Sequence, residues 1–231
     1  MTFCITVLRA LAALIITNSH YTGVYPTDLI ANGGLLGDVI FFAVSGFCLY
    51  NIKMNFGKWY LRRIIRVYPA PILITAAYMV IGLYDRFTNI SEFLWWFIYP
   101  TNYHFVASIV VLYIPFYFVA KEKRLRENMP IISLAVFIVY LALYIFMYDK
   151  SYYHIDNVRE PMIRFLFFEA MLMGGWFRAK FDEYKDKIKI TDWLMLVIWF
   201  LVYFASKMLF VKVKALSMYQ IVNQAVLIML L

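Results

Sequence analysis

Long apolar stretches held apart by three clusters of basic residues make up this chain, and that alternation leaves few folds open to it. The stretches run from about Phe3 to His20, Leu35 to Asn51, Pro71 to Tyr84, Phe105 to Ala120, Ile131 to Tyr148, Met162 to Phe177 and Trp193 to Val211, and a last one begins near Ser217. Runs of roughly 17–25 apolar residues match the thickness of a bilayer core. In lipid every backbone N–H and C=O must be satisfied internally, so such runs are helices. Hydrophobic residues form 64% of the chain, well above the ~45–50% of soluble domains. The 16% that are charged are too few to cover a globular surface. The predicted fold is all-α: a polytopic transmembrane helical bundle of about eight spans, forming a single membrane-embedded domain over residues 1–231.

The net charge of +8 is distributed for a membrane and not for nucleic acid. Lys53, Lys58, Arg62, Arg63 and Arg66 form one cluster; Lys121, Lys123, Arg124 and Arg126 a second; Arg178, Lys180, Lys185, Lys187 and Lys189 a third. If the spans alternate, all three fall on one side, which the positive-inside rule makes cytoplasmic together with the N-terminus. The first span lacks both a basic leader and a small-residue cleavage site, so it does not read as a signal peptide. Cys4 and Cys48 both lie in apolar runs and read as buried free thiols. The aromatic piece Phe93–Tyr99 reads as an outer interfacial or re-entrant segment, since aromatic rings favour that depth. Asp149, His154, Asp156 and Glu160 share an outer loop, but their spacing fits no metal-ligand pattern, and no metal is expected. The sequence ends on Leu227-Ile228-Met229-Leu230-Leu231 without a polar flank, which reads as a C-terminally truncated last span.

Four sets of polar residues stand out in or beside these spans. Arg9 and His20 are eleven residues apart, which returns a helix to within ~20° and rises about 16 Å. They share a stripe along the first span, Arg9 nearer its middle and His20 toward the outside. Ionisable groups at that depth cost about 2.5–3.5 kcal/mol each and point to function. Singly, a snorkelling arginine and an interfacial histidine would look the same; on one stripe they line a polar path. Histidine is the usual general base near neutral pH. Arg62-Arg63-Ile64-Ile65-Arg66 follows the second span; Arg63 and Arg66 sit on one helical face and suit bidentate contact to phosphate. A topogenic basic loop is the plainer reading of the same run. Asp38 lies near the outer end of the second span, where it either orients His20 or rests in water, and Ala43, Ser45 and Gly46 permit close helix packing. Glu169 is mid-span and requires a partner or a cavity.

Arg9-Ala10-Leu11-Ala12-Ala13 with His20, then Phe41-Phe42 through Ser45-Gly46-Phe47, then Arg63-Ile64-Ile65-Arg66 before Tyr68-Pro69, resembles the acyltransferase-3 family of integral-membrane acyltransferases. Tyr103-His104-Phe105 to Leu112-Tyr113-Ile114-Pro115 and the run Arg164 to Gly174 are similar to two later family blocks. Two positions depart from the pattern: Val39 stands where an acidic residue is frequent, with Asp38 displaced by one, and a customary tryptophan is missing around Tyr103-His104. The resemblance implies about ten spans in a complete member, a bacterial inner-membrane location, acyl-CoA (acetyl-CoA foremost) as donor, and a hydroxyl of an exported or surface glycan as acceptor. It further implies Arg9 and His20 as the catalytic pair, with Arg63 and Arg66 meeting the donor; Arg62 adjoins that pair, and Asp38, Ser45 and Glu169 are candidates for a supporting role by their own positions in the spans. Membrane lipid is the surrounding partner. The competing expectation is a transporter or flippase in which Arg9, His20 and Glu169 line a substrate or proton path.

Overall fold

A computed structural model describes residues 2–27, 30–97, 104–147, 162–184, 187 and 189–212. Within them the regular structure is helical: α1 Thr2–Ser19, α2 Gly34–Leu49, α3 Phe56–Val67, α4 Pro69–Val80, α5 Ile90–Phe97, α6 His104–Lys121, α7 Lys123–Glu127, α8 Met129–Met147, α9 Met162–Tyr184 and α10 Ile190–Lys212. The expected all-α class holds. The span expected from Ser217, Tyr103, and the loop holding Asp149, His154, Asp156 and Glu160 lie outside the described residues.

α2 is the centre of the assembly, packed between α1 and α9, with α6 against a third side. Lipid tails are as apolar as leucine, so helices in a bilayer associate through close backbone approach more than through burial from water. Three glycines provide it. A Cβ on Gly46 would overlap the Met171 carbonyl of α9, and one on Gly174 would overlap the Ala43 carbonyl of α2. At Gly37 a Cβ would stand 2.9 Å from the Ala12 carbonyl of α1. Around these crossings Phe42 stacks on Phe167 at 4.3 Å and tilts against Phe105 at 5.1 Å, tying α2, α9 and α6 into one aromatic core.

The outside of the bundle is apolar. Leu14, Leu73, Val80, Phe146 and Leu201 are each more than 60% exposed. Monomeric soluble proteins rarely show contiguous apolar surface on this scale, and lipid is the solvent it fits. Among the described residues one helical stretch, Phe56–Val80, is long and apolar enough by itself to cross a membrane, at 25 residues and mean hydropathy 1.2; the other apolar helices fall short of that length.

That stretch corrects the expectation that Arg62, Arg63 and Arg66 occupy a loop before a span starting at Pro71. α3 and α4 form a near-continuous helix: Tyr68 at their junction has helical φ −69° and ψ −31°, its N–H reaches the Ile64 carbonyl at 3.0 Å, and the Ile72 N–H reaches the Tyr68 carbonyl at 3.1 Å. Pro69 and Pro71 lack donors, but proline at the start of a helix loses no bond that would otherwise form. α3 runs antiparallel beside α6. Phe56 packs on Tyr117 and Phe118, Trp59 on Tyr113 and Tyr117, and the Tyr60 hydroxyl donates to the Val110 carbonyl at 3.3 Å. Arg63 therefore lies seven residues, or ~10 Å, up this helix and inside the assembly.

The aromatic piece near residue 95 is helical as α5 and has a built start. Asn89 Oδ1 accepts the Glu92 N–H at 2.8 Å, and Glu92 Oε2 accepts the Thr88 N–H at 2.8 Å and its hydroxyl at 2.9 Å. This reciprocal arrangement satisfies donors that a helix start would otherwise leave open. These bonds hold the Glu92 carboxyl below the usual glutamate range.

Candidate functional site

Basic side chains from five helices gather at the C-terminal end of α2. Arg9 of α1 sends Nη2 to within 3.5 Å of Cys48 Sγ, and Arg63 of α3 lies within electrostatic range of the same residue. Lys121 of α6 donates to the Lys53 and Met54 carbonyls at 3.3 and 3.5 Å. The Arg126 guanidinium of α7 stands 5.5 Å from the Tyr50 ring centre, and that of Arg178 on α9 stands 5.6 Å from Phe47. A helix C-terminus carries roughly half a negative charge, which favours cations within its last turn. Five such groups far exceed that partial charge. Of the five, Arg178 has a carboxylate neighbour in Asp182 at 3.8 Å, a surface pair of the kind worth about 0–1 kcal/mol. The surplus is a field suited to a polyanion.

Within this field the arginines of α3 separate. Arg63 is half-buried, its guanidinium 5.7 Å from the ring centre of Trp59, and Trp59 is itself 2% exposed. The four-residue spacing of Trp59 and Arg63 places them on one helical face. Arg62 is exposed and lies 100° away around the helix, beside Leu61 and Ile65, which are also exposed. Arg63, Arg9 and Arg66 all lie within electrostatic range of the buried Tyr113 of α6. Arg9, expected near mid-span and apart from the basic cluster, thus joins Arg63 and Arg66. The reason is reach: its long side chain carries the charge toward the α2 terminus.

His20 lies at the other end of α1, just past Ser19, with its backbone N–H on the Thr17 carbonyl at 3.1 Å and its side chain exposed. Asn18 organises the loop that follows. Its Nδ2 donates to the Ile30 carbonyl at 2.7 Å and the Asn32 carbonyl at 3.3 Å, while its Oδ1 accepts the Tyr25 hydroxyl at 2.8 Å. Gly33, at φ 105°, then turns the chain into α2. Asp38 is half-buried in the second turn of α2, at the same end of the helix pair as His20. Ser45 is half-buried beside the Gly46 crossing. Glu169 of α9 is 3% exposed and its Oε1 has no hydrogen-bond partner among the described residues.

The thiols differ from expectation: Cys4 and Cys48 are both exposed in the assembly. Cys4 lines an apolar cavity of about 590 Å³ between α1, α2, α9 and α10. The sequence gives no role to Asn18, and it marks Tyr113 only as part of a family block and Cys48 only as a thiol in an apolar run, because their neighbours in the fold lie on other helices. Trp59 was legible in principle through its spacing to Arg63.

The bundle carries a strongly cationic end and an exposed histidine at the other, and a family model described as an acyltransferase domain matches residues 3–231. The chain belongs to the acyltransferase-3 family. No curated protein and no solved structure matches it.

Proposed function

We propose that this protein transfers a short acyl group, acetyl foremost, from cytoplasmic acyl-CoA to a hydroxyl of an exported or cell-surface glycan. The observation that carries this reading is the convergence of Arg9, Arg63, Lys121, Arg126 and Arg178 on one end of α2, with His20 at the opposite end of α1. In this reading the cationic end faces the cytoplasm of a bacterial inner membrane, with the N-terminus inside, as the positive-inside rule favours. The phosphates of CoA rest on the guanidinium groups, for which Arg63 and Arg66 are better placed than Arg62. The extended pantetheine arm passes Arg9 and brings the thioester toward His20, about 16 Å further along α1.

His20 then takes the proton of the acceptor hydroxyl as its oxygen attacks the thioester carbonyl. The tetrahedral intermediate collapses with loss of the CoA thiolate, which leaves the ester on the glycan. Help of this kind contributes typically 10²–10⁴-fold. Asp38, at the same end as His20, orients the imidazole; Ser45 and Glu169 support the helices behind it. Membranes holding His20→Ala, supplied with labelled acetyl-CoA, should transfer label to glycan at least a hundredfold more slowly than wild type. Unchanged transfer would overturn the assignment of the base. Label that crosses the membrane without being esterified would favour a transporter instead.

A further inference from the structure

The apolar cavity between α1, α2, α9 and α10 has a length and two unlike ends. It follows α1 from Cys4 to Ile15 and, in the opposite sense, α2 from Phe47 back to Leu36. Eleven residues of helix rise about 16 Å, close to the depth of one leaflet in a hydrocarbon core ~30 Å thick. Its volume of about 590 Å³ falls in the ~300–1,000 Å³ range of small-molecule sites. The lining is aliphatic and aromatic apart from the sulfurs of Cys4 and Met173, so the interior offers water too few partners to hold it. Leu11, Val197 and Phe200 of its walls are each more than 40% exposed, which opens the groove sideways to the bilayer.

At one end α1 closes on α2, where a Cβ on Gly37 would stand 2.6 Å from Ile16 Cγ1. The other end has an aromatic rim, with Phe181 of α9 edge-on to Phe47 of α2 at 5.6 Å. The Arg178 guanidinium stands 5.6 Å from the centre of that Phe47 ring. Asp182 lies 3.8 Å from one of its nitrogens, and a guanidinium has five N–H donors in all. An apolar groove as deep as one leaflet therefore ends at a cation that has donors left over.

We infer that this groove binds one chain of an anionic diacyl phospholipid, with the lipid phosphate on Arg178. Basic pockets between transmembrane helices favour anionic head groups. A zwitterionic lipid carries the same phosphate, but its own ammonium group offsets the charge that the arginine would meet. The site differs from the one proposed for the acyl donor, whose arginines, Arg63 and Arg66, lie on α3 against α6. It holds whether or not the protein transfers acyl groups.

The test reconstitutes the full chain into nanodiscs of equal parts phosphatidylglycerol and phosphatidylcholine with the same chains. The protein is then released into detergent and its retained lipids are counted by native mass spectrometry. Wild type should hold about one lipid, with phosphatidylglycerol favoured about fivefold, the bias one arginine near a membrane surface implies. Arg178→Gln should still hold a lipid but lose the preference. Lys123→Gln, which removes an equal charge from an exposed position on α7, should keep it. Leu8→Trp fills the groove from α1 and should cut retention of both lipids severalfold; Val197→Trp, from the α10 wall, should do the same if the first variant does not fold. Wild type without retained lipid, or a folded tryptophan variant that retains as much as wild type, would mean that protein closes the groove, whether another segment or a second copy, and would overturn the inference. Equal retention of the two lipids by wild type, or an unchanged preference in Arg178→Gln, would overturn the assignment of the head group.

Discussion

Gly46 of α2 and Gly174 of α9 are reciprocal: each lies where a Cβ would overlap a carbonyl of the other's helix, Met171 for Gly46 and Ala43 for Gly174. The two backbones touch through this pair, and the cationic end of the bundle hangs from it, since Phe47, Cys48 and Tyr50 follow within about one turn of Gly46. Gly46→Ala should therefore destabilise the protein by about 1–3 kcal/mol or more, the scale of overpacking, because backbone on the far side cannot swing away. Gly57→Ala, in the first turn of α3 with nothing within 4 Å of its Cβ position, should be neutral or stabilising by up to ~1 kcal/mol through reduced chain entropy. Thermal unfolding in nanodiscs separates the two; equal melting temperatures would refute the crossing.

The split between the arginines of α3 gives a second expectation. Arg63→Ala removes a half-buried guanidinium from the Trp59 face and should raise the KM for acyl-CoA at least tenfold, the loss expected for charge-assisted hydrogen bonds. Arg62→Ala removes an exposed group from another face and should change KM less than twofold. Arg63→Lys should restore little, since an ammonium lacks the planar fork. Steady-state kinetics on the three variants decide this, and a larger loss in Arg62→Ala would reverse the assignment.

Asn18 ties the loop after His20 through three hydrogen bonds. Replacing it by leucine leaves the Ile30 and Asn32 carbonyls and the Tyr25 hydroxyl without that partner, at about 0.5–1.5 kcal/mol for each bond. The loop over residues 20–33 should become more sensitive to limited proteolysis. Transfer should fall about tenfold in kcat with little change in KM for the donor, whose phosphates the proposed mechanism places at the far end of α1. A matching rise in donor KM would mean that the loop acts elsewhere.

The start of α5 should respond to acid. Glu92 accepts two hydrogen bonds from Thr88 that hold its carboxyl below the ordinary glutamate range. A depressed carboxyl contributes stability above its unfolded value, near 4.5, and loses it as the pH falls through the lower folded one. The Thr88 amide resonance should titrate with a midpoint below 4.5, and in Glu92→Gln it should not titrate. A midpoint at or above 4.5 would show that the bonds do not form.

Much of the class was open to reading because it depends on short-range rules. Apolar runs of bilayer length must be helical in lipid, and α1, α2, α6, α8 and α10 coincide with expected stretches to within a few residues, while α9 continues past the expected end at Phe177 to Tyr184. The family blocks around Arg9, His20, Phe41, Gly46 and Arg63 are local as well, and the match over residues 3–231 agrees with them. The start of the third span was misplaced at Pro71, since the basic run before it is unlike a lipid-facing segment, whereas the helix extends back through it to Phe56.

What the sequence determined by itself is the helical class, the membrane environment and the blocks that carry the resemblance, because hydropathy and helical period are properties of neighbouring residues. Only the tertiary structure decided that Arg9 joins Arg63 and Arg66 around Tyr113, that Arg62 stands apart from them, and that five helices direct cations at one end of α2. Those relations arise from the way the helices cross at Gly37, Gly46 and Gly174, and a crossing angle and depth are set by pairs of surfaces far apart in the chain.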